Sequence, residues 1–273
     1  ILQVANMQSF FKEHSAGFHT AEAKGIWKEY TESYYRMDTY YRLFHLSFQK
    51  SLETSNILLD DLFKHVVDKV EGLYTHWFLG ELGNNWSDVC AEELATYGKV
   101  LEVPQQENFY SSRIRTSENK VFVIVSDAMR YEVGKELFHR MQDDPKCSAK
   151  LEVQLSVLPS YTRLGMAALL PHTELTMTDD FKVLVDGLPC DNLSERKTIL
   201  QKYNADAVCV QFDSIKSLKV AELRSVFTGK QVVYVYHNQI DARGDKPNTE
   251  DEVFVACSEA ASEIIDLIRR IST

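Results

Sequence analysis

Val121-Phe122-Val123-Ile124-Val125-Ser126-Asp127 is the stretch on which the fold turns. Five β-branched or aromatic residues follow one another without polar alternation, the pattern of a strand covered on both faces, as in a parallel sheet. Working outward, Tyr131 to Met141 predicts a helix with Val133, Leu137 and Met141 on one side, stopped by Asp143-Asp144-Pro145. Beyond it the spacing predicts a strand over Leu151 to Leu158, a short helix over Arg163 to Leu170 and a helix over Leu193 to Tyr203. A strand over Ala207 to Phe212, a helix over Leu218 to Phe227 and a strand over Val232 to Tyr236 come next. The last helix is expected to start at Thr249, where Thr249-x-x-Glu252 reads as a capping box ahead of Val253, Phe254, Cys257, Ala260, Ile264 and Leu267. Strands alternating with helices imply a parallel α/β sheet.

Upstream of this stretch the composition changes. Residues 1–118 hold 19 of the 30 aromatic residues and one of the six prolines. Apolar side chains recur there at helical spacing, at Ile26, Trp27, Tyr30, Tyr34, Tyr41, Phe44 and Leu46, then at Ile57, Leu58, Leu62, Val66 and Val70, which predicts three or four helices. Leu79 to Trp86, with two glycines and two asparagines, reads as a turn, Asp88 to Val100 as helix, and Pro104 to Asn119 as a polar connector. The expected fold class is α/β: an all-helical region over 1–118, then a parallel-sheet domain over 119–273.

The length of 273 residues, at roughly 150 per domain, suits this division. Acidic residues outnumber basic ones, 40 to 30, and the net charge of −10 disfavours nonspecific coating of nucleic acid. Five cysteines without a C-x-x-C pair indicate neither a disulfide framework nor a zinc finger and read as buried apolar side chains of a reducing compartment. No apolar run reaches the ~20 residues that span a bilayer, and the N-terminus lacks the layout of a signal peptide, so a cytoplasmic location is expected. The chain opens at Ile1 and ends at Thr273 directly after a helical pattern, which suggests a fragment of something longer. Neither G-x-G-x-x-G after the first strand nor G-x-x-x-x-G-K-[ST] is present, which argues against dinucleotide and P-loop readings.

In an open parallel sheet, ligands bind at the carboxyl ends of the strands, and three such ends carry chemistry. Asp127 either takes a divalent cation or caps the next helix. Ser160 and Thr162, in Leu158-Pro159-Ser160-Tyr161-Thr162-Arg163, either cap a helix or place a hydroxyl beside unpaired backbone N–H groups, where a metal could lower its pKa for attack on a phosphate. His237 and Asp241, four residues apart after a strand and with Asp245 close behind, suit a first-row metal, while a satisfied loop histidine is the commoner explanation of any single His.

Together these motifs resemble a PglZ domain, a branch of the alkaline phosphatase superfamily. The residues that carry the resemblance are Val121-Phe-Val-Ile-Val-Ser-Asp-Ala-Met-Arg-Tyr-Glu-Val-Gly134, Leu158-Pro-Ser-Tyr-Thr-Arg-Leu-Gly-Met-Ala-Ala-Leu-Leu-Pro171 and Val233-Tyr-Val-Tyr-His-Asn-Gln-Ile-Asp-Ala-Arg-Gly-Asp245. It covers about residues 119–273 and treats the segment around Val185-Asp186-Gly187 as a variable middle. The resemblance implies an alkaline-phosphatase-like core, Thr162 as the catalytic nucleophile held at a divalent metal, usually zinc, and Asp127, His237 and Asp241 as metal ligands, with Asp245 a weaker candidate. It also implies a phosphate ester or phosphodiester substrate and a place in a bacterial antiphage system of the BREX or phage growth limitation kind, beside a DNA methyltransferase and ATPases. The superfamily completes its metal site with an Asp-His pair after a later strand, and this chain contains no Asp-His or His-Gly dipeptide. The expectation is therefore a truncated core, inactive by itself, with a two-metal site only in a longer chain. The competing reading is a noncatalytic scaffold in the defence complex, its helical aromatics serving as an interface or, more simply, as a bundle core.

Overall fold

The computed structural model describes residues 1–54, 60–246 and 252–272, with side chains described over 1–51, 62–246 and 252–272. It divides into two compact units, one formed by Ile1–Val103 with Arg130–Glu136 and the other by Pro104–Met129 with Leu137–Thr273.

In the first unit the helix Leu2–Glu13 is followed by a continuous helical run over 23–54 and another over 60–97, each interrupted by wider π turns, at Tyr30–Tyr34 and Gly72–Leu79. Their apolar stripes meet in a core of Met7, Phe10, Phe18, Tyr34, Met37, Phe44, Val70, Tyr74 and Phe78, so these aromatics do pack as a bundle core. The turn expected over Leu79 to Trp86 is helix. Buried Phe78 and Cys90 hold the run on either side, and tertiary burial outweighs the cost of about 1 kcal/mol for each internal glycine. The run ends instead at Gly98, whose φ of +67° and N–H donated to the Leu94 carbonyl at 3.0 Å make a left-handed cap. Ile57 and Leu58 lie outside the described residues.

The second unit is built on a parallel sheet in the order β1 (Val121–Ser126), β6 (Val232–His237), β5 (Val208–Gln211). All six residues of the central strand β6 are buried, as an apolar run covered on both faces requires. On one face Val123, Val125, Tyr234 and Tyr236 pack with Leu164, Ala167, Ile199 and Leu200 of helices Thr162–Ala168 and Leu193–Tyr203. On the other, Phe122, Ile124, Val233 and Val235 pack with Leu223, Phe227 and Leu267 of helices Val220–Phe227 and Val253–Ile271.

Several expectations are corrected. Leu151 to Leu158 is not a strand of the sheet; its one bridge joins Leu155 to Gln105, and the Leu155 N–H donates to the Pro104 carbonyl at 2.7 Å. The supposed connector that supplies this partner also places Tyr110 and Ile114 in the sheet's core, so 104–119 is more than a linker. The variable middle forms an antiparallel sheet of β2 (Leu175–Met177), β3 (Val183–Val185) and β4 (Leu188–Pro189). Its tight turn is Asp186-Gly187, both at positive φ, the dipeptide that two-residue hairpins favour. Asn192 and Glu195 form a reciprocal capping box ahead of Leu193–Tyr203. Thr249 lies outside the described residues, and the last helix is described from Val253.

Candidate functional site

Strands β1 and β6 finish level, with Ser126 opposite His237, and the Asp127 N–H donates to the His237 carbonyl at 2.9 Å. Both strand ends therefore lie at one rim. Side chains alternate along a strand, however, and this separates them. Ser126 and His237 turn to the face of helix Val253–Ile271, where Ser126 Oγ is 3.2 Å from His237 Nδ1 and Glu263 Oε2 is 3.0 Å from His237 Nε2. The ring is fully buried and meets Phe212 edge-on at 4.6 Å. Both imidazole nitrogens are thus engaged.

Asp127 belongs to a different environment. With Ser126, Gln106, Ser160, Thr162 and Met166 it lines a cleft of about 420 Å³ between the end of β1 and the start of helix Thr162–Ala168. The turn after β1 puts Ala128 at φ +59°, a conformation that costs energy for a residue with a Cβ, and donates the Ala128 N–H to Asp127 Oδ1 at 3.0 Å. That bond occupies one oxygen. Thr162 is exposed and begins its helix, Tyr161 occupies the cap position, and no side chain caps it. Neither the capping role weighed for Ser160 nor that for Thr162 is used, and both hydroxyls face the cleft without a hydrogen bond among the described residues.

Electrostatics link a further residue. Burial pushes the Asp127 carboxyl above the usual carboxylate range, against the pull of the Ala128 N–H and the Arg196 charge, and Asp245 adds to the rise. Burial likewise pushes Asp241 up, reinforced by the negative charges of Asp127 and Asp245. Carboxylates that raise one another's pKa disfavour full ionisation, and a divalent cation would relieve them. The donor chemistry of Asp127 and Asp241 fits such an ion, with Thr162 across the cleft. Among the described residues, however, no three His, Cys, Asp or Glu side chains are gathered closely enough to hold a metal.

Sequence reasoning overlooked three residues. Ser126 and Glu263 engage His237. Arg196 acts electrostatically on Asp127, stacks its guanidinium 4.7 Å from the Tyr236 ring centre and donates from Nε to the Cys190 carbonyl at 2.8 Å. Ser126 was legible as the last residue of β1. Glu263 offers only the signal of a carboxylate beside the apolar stripe of the last helix.

Among the described residues no helix is long and apolar enough to cross a membrane. The family model described as the BREX system PglZ alkaline phosphatase-like domain matches residues 110–273. Alkaline phosphatase-like protein BrxZ of Escherichia coli O9:H4 (strain HS) is 37% identical over 277 residues, covering 98% of this chain and 31% of its own length. Alkaline phosphatase-like protein PglZ of Bacillus cereus (strain H3081.97) is 36% identical over 249 residues, covering 90% of this chain and 28% of its own length. The chain thus spans less than a third of either relative. It belongs to the BREX PglZ alkaline phosphatase-like domain family.

Proposed function

We propose that this chain carries part of a metal-dependent phosphatase or phosphodiesterase of a bacterial antiphage system, acting in the cytoplasm beside a DNA methyltransferase and ATPases. In this reading residues 119–273 form the phosphatase-like domain and 1–118 the helical region before it. The observation that carries the reading is the cleft shared by Asp127 and Thr162 at the carboxyl rim of the parallel sheet. Superfamily members commonly use divalent metals, and Asp127 and Asp241, with Thr162, would hold one here, zinc being the usual choice; His237 would join them only by leaving the opposite face of the sheet, where it is buried. When bound, the metal lowers the pKa of a coordinated hydroxyl and offsets charge on the phosphoryl oxygens.

The chain's own residues do the rest. Thr162 Oγ1 forms a bond to phosphorus as the ester oxygen leaves, and water then releases the phosphoryl group from the threonine. The Arg196 charge, felt at Asp127, favours an anionic substrate at this rim. For His237 to serve as a ligand it must exchange Glu263 or Ser126 for the metal, because both ring nitrogens are otherwise occupied.

Metal analysis and an aryl-phosphate assay on the natural protein containing this sequence test the proposal. Stoichiometric metal, with turnover that Thr162→Ala removes, is expected. Neither metal nor turnover in the wild type would favour the noncatalytic scaffold instead.

A further inference from the structure

Thr162 stands in a stretch that burial does not hold. Residues 158–163 are all exposed, Leu158 by 48% and Tyr161 by 36%. Its ion pair, Arg163 to Asp191 at 3.7 Å, is exposed on both sides and holds weakly. Within the stretch the Tyr161 N–H donates to the Pro159 carbonyl at 2.7 Å, and the Gly165 N–H donates to the Tyr161 carbonyl at 2.9 Å. These bonds shape the segment locally without tying it to the rest of the unit.

The tie is supplied by Gln106. Its Oε1 accepts from the Val157 N–H at 3.1 Å, and its Nε2 donates to the Gly165 carbonyl at 3.3 Å. Val157 immediately precedes the exposed stretch, and Gly165 lies in the first turn of helix Thr162–Ala168. Only one orientation of the amide satisfies both partners, because Val157 offers a hydrogen and Gly165 a lone pair. Gln106 is itself secured. Its N–H donates to the Leu155 carbonyl at 2.8 Å, the Leu155 N–H donates to the Pro104 carbonyl at 2.7 Å, and Tyr110 just beyond is buried in the core of the sheet. Gln106 lines the cleft with Asp127 and Thr162, and all of these residues belong to the same compact unit.

Two points of a loop tied to one anchored amide cannot drift independently, and Thr162 lies between those points. Attack on a bound ester depends on that fixity, since a displacement of about 1 Å can cost about a hundredfold in rate. We propose that Gln106 is a positioning residue for Thr162, acting through the Val157 amide and the Gly165 carbonyl. Gln106 precedes residues 110–273, which match the family model, and belongs to none of the motifs that carry the resemblance. As a statement about turnover the proposal rests on the phosphatase reading; as a statement about the loop it does not.

Amide hydrogen exchange on the natural protein containing this sequence, resolved to single amides, tests it with two variants that fail differently. Gln106→Met keeps the length of the side chain and removes both bonds, so the amides of Val157, Tyr161, Gly165 and Met166 should exchange about tenfold faster. Val233 to Val235 in the central strand should keep their wild-type rates. Gln106→Glu still accepts from Val157 but has no hydrogen for the Gly165 carbonyl. In that variant Val157 should stay protected while Gly165 and Met166 loosen. If Gln106→Met does not fold, Gln106→Glu alone decides. Unchanged exchange at Gly165 and Met166, or loosening that extends equally to the central strand, would overturn the proposal. In an active wild type, both variants should lower kcat per folded molecule for an aryl phosphate about tenfold with little change in KM. A smaller folded fraction with kcat per folded molecule unchanged would count equally against it. An inactive wild type would overturn the phosphatase reading and leave the exchange result to decide this one.

Discussion

The helical unit and the α/β unit treat charge in opposite ways. In the helical unit Asp38, Arg42 and Glu132 are buried and each is bonded to an opposite charge. In the α/β unit Asp127 and Asp241 are only half buried, yet each is driven toward its neutral form by burial and by neighbouring carboxylates. A buried charge with its partner supplied from the same chain is complete and serves geometry. Burial and like charge hold Asp127 and Asp241 above the usual carboxylate range, which the cation of the proposed function would relieve.

The first way to break this contrast is to remove a buried partner. Arg42→Met leaves Glu132 in the core without its cation and should cost about 3–5 kcal/mol of stability, readable as a lower midpoint in urea unfolding; a change within experimental error would show the pair to be dispensable. Cavity formation is the apolar control. Leu200→Ala, at a fully buried position between helix Leu193–Tyr203 and the sheet, should cost about 2–5 kcal/mol by the same measurement while leaving the rim carboxylates alone.

Next come the carboxylates themselves. Asp241→Asn removes a group whose ionisation the folded chain resists, so in chelator at pH 7 the variant should melt a few degrees above wild type and should lose any stabilisation by added divalent cation. The sign follows from linkage: a carboxyl whose folded pKa is raised contributes stability below its unfolded value near 3.9 and loses it as pH rises through the folded pKa. The difference in Tm between variant and wild type should therefore grow from about pH 4 toward neutrality. A constant difference would contradict the electrostatic account. The smallest effect belongs to Ser126→Ala, which deletes one hydrogen bond to His237 and should cost about 1 kcal/mol, with Glu263 still holding the ring.

Much of this was legible in the sequence because the strongest signals were local. The apolar run at β1 and the run at β6 announce doubly covered strands, and the residues just beyond them are the ones a parallel sheet exposes at its rim. Asp127 was found that way; Thr162 was reached through a strand expected over Leu151 to Leu158 that does not form, yet it begins a helix and shares one cleft with Asp127. What could not be read is which face each side chain takes. The sequence reading ends that strand at Tyr236 and sets His237 beyond it, as Asp127 lies beyond β1, but His237 is the last residue of β6, level with Ser126, and this one-residue offset turns the imidazole to Ser126 and Glu263 on the opposite face. The helix through Gly80 and Gly83 was missed for a related reason, since its glycines signal a break locally and its burial overrules them only in three dimensions. Arg130, Tyr131 and Glu132 were quoted as part of a motif, yet nothing in one dimension shows that their partners are Asp38, Thr31 and Arg42, some ninety residues earlier.

The most direct test is to trap the covalent intermediate. The natural protein carrying this sequence would be incubated with divalent metal and an aryl phosphate, quenched in acid, digested and examined by peptide mass spectrometry. The account predicts a phosphoryl group on Thr162. The same label on Ser160 or Ser126, or turnover that persists in Thr162→Ala, would contradict it.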